Sequence, residues 1–242
     1  MKDWNSNQYA KFEKERTQPS VDLIHRIHIS PKLILDIGCG PGNSTKQLSA
    51  SFSAADILGI DSSDNMLDKA RCSYPYLKFQ KCVIPVELDR IGTFDLIFSN
   101  ACLHWVADHQ SLFPKLMDKL HPGGMLAVQM PLVQNAVFYR VLEELIAEDK
   151  WKRLRDIHVF HNQSPDKTYD ILSGISKEVT MWDTTYYHIM PSHGSIIGWY
   201  KGSGLRPYLD ALSKAEEAEF LCDLLRRMKN RFPVQSDNSI IL

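Results

Sequence analysis

The stretch Asp36-Ile37-Gly38-Cys39-Gly40-Pro41-Gly42-Asn43-Ser44 follows a short apolar run, Leu33-Ile34-Leu35, and precedes a helix-forming segment, Thr45 to Ser51. A brief apolar run closed by glycine reads as a buried strand, and Asn43-Ser44 suit a helix start. Strand, glycine-rich turn and helix in that order put bare backbone at the carboxyl end of a strand, where open α/β sheets bind ligands. The dinucleotide fingerprint requires glycine at 38, 40 and 43, but position 43 is Asn. A nicotinamide or flavin dinucleotide is therefore disfavoured. Asp36 points the same way: its charge repels a pyrophosphate and suits a cationic ligand.

Working outward, Ile57-Leu58-Gly59-Ile60-Asp61 reads as a second strand, and Asp61 falls 61 − 42 = 19 residues after Gly42. An acidic residue there accepts ribose hydroxyls, so the combined reading is a positively charged nucleoside. Asp64 is read as the N-cap of a helix over Met66 to Arg71. Strands near Leu77 to Lys81 and Phe94 to Ser99 follow. A helix from Asp108 to Leu120 is stopped by His121-Pro122-Gly123-Gly124, and Met125 to Met130 is a fifth strand. Strands alternating with helix-length segments imply right-handed crossovers and a parallel sheet with helices on both faces.

Beyond Pro131 the rhythm changes. Ala136 to Trp151 reads as a long helix, Arg153 to Lys167 as irregular and Lys177 to Met190 as rich in β-formers; Ser192 to Lys201 and Ser213 to Arg231 read as helices. The expected organisation is a single α/β domain over 1–242. Its core covers about 30–131, a helical cap about 132–242, and an N-terminal lid 1–29.

Of 242 residues, 28 are Lys or Arg and 29 Asp or Glu, a net charge of −1, so no bulk positive field gathers nucleic acid. Hydrophobic residues at 44% and charged residues at 24% match ordinary globular usage and exclude a disordered chain. The five cysteines are widely spaced without a C-x-x-C pair, which fits a reducing compartment and no zinc site. The polar start and the lack of about 18 consecutive apolar residues make a cytoplasmic protein without membrane association the expectation. Nothing in the sequence specifies an oligomeric state.

The D-x-G-x-G-x-G turn, with Asp61-Ser62-Ser63 and Leu120-His121-Pro122-Gly123-Gly124 in order, resembles the class I S-adenosylmethionine-dependent methyltransferases over roughly Leu33 to Met130. The resemblance implies a Rossmann-like, mostly parallel seven-stranded sheet with helices on both faces, and S-adenosylmethionine as cofactor. It implies that Asp36, Gly38, Cys39 and Gly40 meet the methionine part. Asp61 and Ser62 would hold the ribose, Met66 would flank the adenine, and Asn100 would close the fourth strand beside the cofactor. The acidic residue that often follows the third strand in that family is replaced at Val83, so backbone contacts from Val83 or Ile84 would substitute. After the fourth strand, Asn100-Ala101-Cys102-Leu103-His104-Trp105 lacks the [DN]-P-P-[YF] string of DNA and protein-glutamine methyltransferases, which leaves a small-molecule acceptor.

Outside the sheet, Asp3-Trp4-Asn5, Tyr9, Phe12, Glu15-Arg16, Pro19, the run from Trp182 through Thr184-Thr185-Tyr186-Tyr187-His188 to His193, and Gly204-Leu205-Arg206-Pro207 resemble the bacterial trans-aconitate methyltransferases. That resemblance implies methyl ester formation on a carboxylate. A carboxylate, with a pKa near 4, is already ionised at pH 7, so no catalytic base is expected and the rate should be flat from about pH 6 to 9. A polycarboxylate needs donors for its other carboxyl groups. The candidates are Arg206, held extended by Pro207, with Arg16, His193, Trp105, and Tyr186 and His188 on one strand face opposite Tyr187. Each has a plainer reading as packing, a helix cap or a solvated charge. The alternatives are another O- or N-acceptor using His104 or His193 as base, and an inactive S-adenosylmethionine-binding protein. The last reading rests on Ser239-Ile240-Ile241-Leu242, which looks like a truncated final strand whose place in that family lies between the fifth and sixth strands.

Overall fold

A computed structural model describes Trp4, residues 12–133 and residues 136–242; the expected contributions of Asp3, Asn5 and Tyr9 lie outside the described residues. After α1 (Glu13–Ile24), the chain forms β1 (Leu33–Ile37), α2 (Asn43–Ser51), β2 (Asp56–Asp61), α3 (Asp64–Ser73), β3 (Lys78–Lys81), β4 (Phe94–Asn100), α4 (His109–Met117) and β5 (Leu120–Gln129). The strands pair in the order β3-β2-β1-β4-β5, and every pairing is parallel. Strand order reverses between β1 and β4, and that switch point opens a crevice at their carboxyl ends.

Alternation along the strands builds the two layers. Leu35 and Ile37 of β1 join Ile97, Leu112 and Phe113 on one face. Ile34 joins Leu23, Leu48, Leu96 and Phe98 on the other. Helix α3 is capped by Ser63 rather than Asp64, because the Ser63 hydroxyl accepts from the Met66 amide at 3.2 Å. Helix α4, capped by Asp108, ends at Met117. His121-Pro122-Gly123-Gly124, expected as its stop signal, instead opens β5, where the register against β4 slips between Phe94 and Leu96.

The second half carries α5 (Val137–Ile146), a 3-10 turn (Asp149–Leu154), α6 (Pro165–Ser173), β6 (Ile189–Met190), α7 (His193–Lys201), α8 (Arg206–Asp210), α9 (Lys214–Arg231) and β7 (Ile240–Ile241). Phe138, Leu142, Trp151, Ile196, Tyr200, Phe220 and Leu224 form a separate apolar core for this cap. The long helix expected to reach Trp151 ends at Ile146, and α6 begins within the last three residues of the stretch expected to be irregular.

The seven-stranded expectation is corrected: the described sheet has five strands. The C-terminal residues do not enter it; Ile240 and Ile241 pair antiparallel with Met190 and Ile189 in a small sheet of their own. Of the β-rich segment Lys177 to Met190, only its last two residues form a strand. Residues 178 to 185 are almost wholly exposed, and β-propensity without a partner ladder and a buried face does not make a strand. Among the described residues no helix is long and apolar enough to cross a membrane, and no cluster of three His, Cys, Asp or Glu is placed to hold a metal ion.

Candidate functional site

The turn after β1 holds three glycines at positive φ, Gly38 (+71°), Gly40 (+53°) and Gly42 (+91°). Gly38 needs its missing side chain as well, because a Cβ there would lie 2.3 Å from Cys102. Above Gly40 there is open space. The turn is braced by Asp61, whose carboxylate accepts from the amides of Gly40 and Ser63, both at 2.9 Å. A carboxylate offers about four lone-pair positions, which suits it to accept several amide and hydroxyl donors together. Ser62 is exposed beside it.

Asp36 is fully buried, and one of its oxygens accepts from Ser44 (2.7 Å) and Thr45 (2.6 Å), tying β1 to α2. The other oxygen has no protein partner among the described residues, and neither has the buried side-chain oxygen of Asn100. Arg16, Thr17 and Ser20 of α1 face the turn across a cleft that Gly38, Gly40, Pro41, Asn43 and Asn100 also line. Two carboxylates, an unsatisfied amide oxygen and open room over glycine fit a cationic nucleoside such as S-adenosylmethionine. Met66 and Cys39 are buried, and burial pushes the Cys39 thiol up. Val83 is exposed at the end of β3, its amide donating to Glu87, and Ile84 is partly buried beside it.

Burial raises the Asp36 carboxyl from its usual 3.8 to about 6, offset in part by the Thr45 and Ser44 hydroxyls. A folded-state value above the unfolded one contributes stability below about pH 4, and that contribution is lost as pH rises through 6. A bound cation favours the carboxylate. Affinity for S-adenosylmethionine is therefore expected to rise between pH 5 and 7 and then level off, and Asp36→Asn should flatten the rise. Calorimetric titrations across that range check this, and an unchanged slope in the variant would exclude Asp36 as its source.

The acceptor candidates divide into three groups. Arg16 lines the cleft, with its guanidinium 4.5 Å over the Trp199 ring and donating to the Trp199 carbonyl at 2.7 Å. Arg206 lies 4.4 Å over Trp4, whose ring meets Trp105 edge-on at 5.3 Å; Trp105 meets Phe160 at 4.9 Å. Arg206 is not extended: it opens α8, where Pro207 is tolerated in the first turn. Tyr186 and His188 do share a face, with Tyr187 exposed, but Tyr186 donates to Asp22 at 2.7 Å and His188 packs on Trp199 at 4.8 Å. They flank the Arg16 side of the site.

His193 is spent elsewhere. Its ring nitrogen pairs with the Phe232 carbonyl at 2.8 Å, joining the start of α7 to the end of α9, while Ser192 caps the helix. His193→Ala is expected to lower stability by about 1–3 kcal/mol in denaturant titrations and to leave acceptor KM unchanged. A raised KM would return this histidine to the site.

Sequence reasoning missed Thr17, adjacent to Arg16, Ser20, one helical turn from it, and Phe160. The helical spacing was a usable signal for Ser20; Phe160 lay in a segment without periodicity. At the opposite, amino end of the strands, a recess of about 360 Å³ borders Asp95, which accepts from the amides of Lys32 and Leu33 and pairs with His121 at 2.9 Å. Those bonds join the starts of β1, β4 and β5.

A methyltransferase-domain family pattern matches residues 34–124. Over its whole length the chain is 39% identical to trans-aconitate 2-methyltransferase of Escherichia coli, covering 95% of that protein. Among solved structures, YcgJ of Bacillus subtilis (TM-score 0.54, 17% identity) matches over 93% of this chain and 94% of its own. Phosphoethanolamine N-methyltransferase 2 of Haemonchus contortus, solved with S-adenosyl-L-methionine (TM-score 0.54, 14% identity), matches over 98% of this chain and 54% of its own. These two share the fold. With a glycine turn and paired carboxylates suited to the cofactor, and with full-length identity of this degree, the chain belongs to the trans-aconitate 2-methyltransferase family of S-adenosylmethionine-dependent methyltransferases.

Proposed function

We propose that the chain methylates a carboxylate of trans-aconitate, or of a closely similar polycarboxylate, without a general base. The observation that carries this reading is the Arg16 guanidinium in the same cleft as the glycine turn and Asn100. It supplies a planar, permanently charged fork suited to a carboxylate. The name of the Escherichia coli relative supports the same acceptor, and a net charge of −1 favours a small anion over nucleic acid.

When bound, S-adenosylmethionine supplies an electrophilic methyl group on a positively charged sulfur. The protein's share is binding, orientation and exclusion of water. Arg16 and Arg206 anchor carboxyl groups that do not react, leaving one carboxylate aimed at the glycine turn. Trp4, Trp105 and Phe160 form an apolar wall that keeps the site dry, which strengthens each charged contact. His104 follows β4, but burial lowers its imidazole to about 3. So weak a base does not serve a phenol or ammonium acceptor at pH 7, whereas a carboxylate has no proton to remove.

The test is transfer of labelled methyl to trans-aconitate, with cis-aconitate, citrate and no acceptor as controls. Selective transfer to trans-aconitate, level from pH 7 to 9 at saturating cofactor, is the expected result. Cofactor binding without transfer to any polycarboxylate would sink the acceptor assignment.

A further inference from the structure

One phenol of the cap, packed against the aromatic wall, has no part in the contacts above. Tyr139 of α5 is partly buried. Its ring meets Phe160 and Tyr200 edge-on, each at 5.3 Å, and Phe160 continues the aromatic wall to Trp105. The turn before Arg206 closes on it, since a Cβ at Gly204 would fall 2.2 Å from the Tyr139 hydroxyl oxygen and 2.5 Å from the Phe160 ring.

Two other tyrosines of the cap spend their hydroxyls within the protein, Tyr186 on Asp22 and Tyr208 on the Ile157 carbonyl at 3.3 Å. The Tyr139 hydroxyl makes no hydrogen bond to any described residue. A phenol packed among aromatic rings ordinarily finds a partner. Burial also holds this one firmly in its protonated, donating form.

We propose that Tyr139 determines acceptor specificity, its hydroxyl donating a hydrogen bond to a non-reacting carboxylate of the acceptor beside the turn that carries Arg206. The role rests on the polycarboxylate reading. It also gives the Gly204 turn a purpose: only glycine there leaves room for the phenol between the cap and the segment carrying Arg206.

Trans-aconitate titrated calorimetrically into protein loaded with S-adenosylhomocysteine tests this. The Tyr139→Phe protein keeps every ring contact, so its melting temperature and S-adenosylhomocysteine affinity should match wild type. Its affinity for trans-aconitate should fall about 10- to 100-fold, the range for a hydrogen bond to a charged group. In turnover, KM should rise by the same factor while kcat stays within about threefold. Gly204→Ala, which displaces the phenol without deleting it, should also weaken the acceptor. Tyr139→Phe binding within twofold of wild type overturns the role, as does a parallel loss of cofactor affinity or melting temperature, which marks a structural part only. If the wild-type protein binds no tricarboxylate, the polycarboxylate reading falls and takes this inference with it.

Discussion

Gly38→Ala is expected to abolish measurable S-adenosylmethionine binding and to destabilise the protein by about 3 kcal/mol or more. Two independent costs add. At φ +71° an alanine sits in the left-handed region, at roughly 1–2 kcal/mol. Its Cβ would also overlap the Cβ and Sγ of Cys102, each 2.3 Å away, with the Cys102 Cα at 3.6 Å. Cys102 belongs to the loop after β4, so relief requires the two loops at the switch point to separate. Gly40→Ala is the informative companion. Nothing lies within 4 Å of its Cβ position, so the fold should lose only about 1 kcal/mol of left-handed strain. The added methyl projects into the open space of the cleft, and cofactor affinity should still fall at least tenfold. Calorimetric titration and thermal denaturation of both variants separate the effects. Normal binding by Gly40→Ala would mean that the space above the turn is not where the cofactor sits.

Arg16→Leu is expected to lower kcat/KM for trans-aconitate by about 100-fold, within the 2–5 kcal/mol typical of truncating one side of a partly buried, hydrogen-bonded charge pair. S-adenosylmethionine affinity should not fall, since losing a guanidinium removes no attraction to the cationic sulfur. Part of any stability loss will come from the bond to the Trp199 carbonyl and the stacking on its ring. Arg16→Lys controls for charge. It restores attraction without the bidentate fork and should recover only part of the activity. A Leu variant with unaltered acceptor kinetics would leave Arg16 as a strut between α1 and the cap.

The cofactor half of this protein was legible in the chain because its signals are local. Apolar runs closed by glycine, the carboxylates Asp36 and Asp61 at strand ends, and helix-length spacers each report on a few adjacent residues. Parallel pairing follows from them, while the strand order with its switch point between β1 and β4 came from the structure. The acceptor half was less legible. Arg16 was identified and the structure brings it to the glycine turn, but His193 was a candidate whose nitrogen is taken by Phe232, 39 residues away. Tyr186 and Tyr139 are both tyrosines among apolar neighbours, and nothing adjacent in the chain says that one hydroxyl is spent on Asp22 and the other left open.

The sequence by itself determined the α/β class, the glycine turn and the type of cofactor, since these depend on backbone freedom and on charge at fixed spacing. The tertiary structure decided that the described sheet has five strands, that Ile240–Ile241 pairs with Ile189–Met190 outside it, and which polar side chains are gathered around the glycine turn. The physical reason is that strand partners and hydrogen-bond partners far apart in the chain are chosen by packing, and a polar side chain serves a ligand only with the bonding capacity those partners leave.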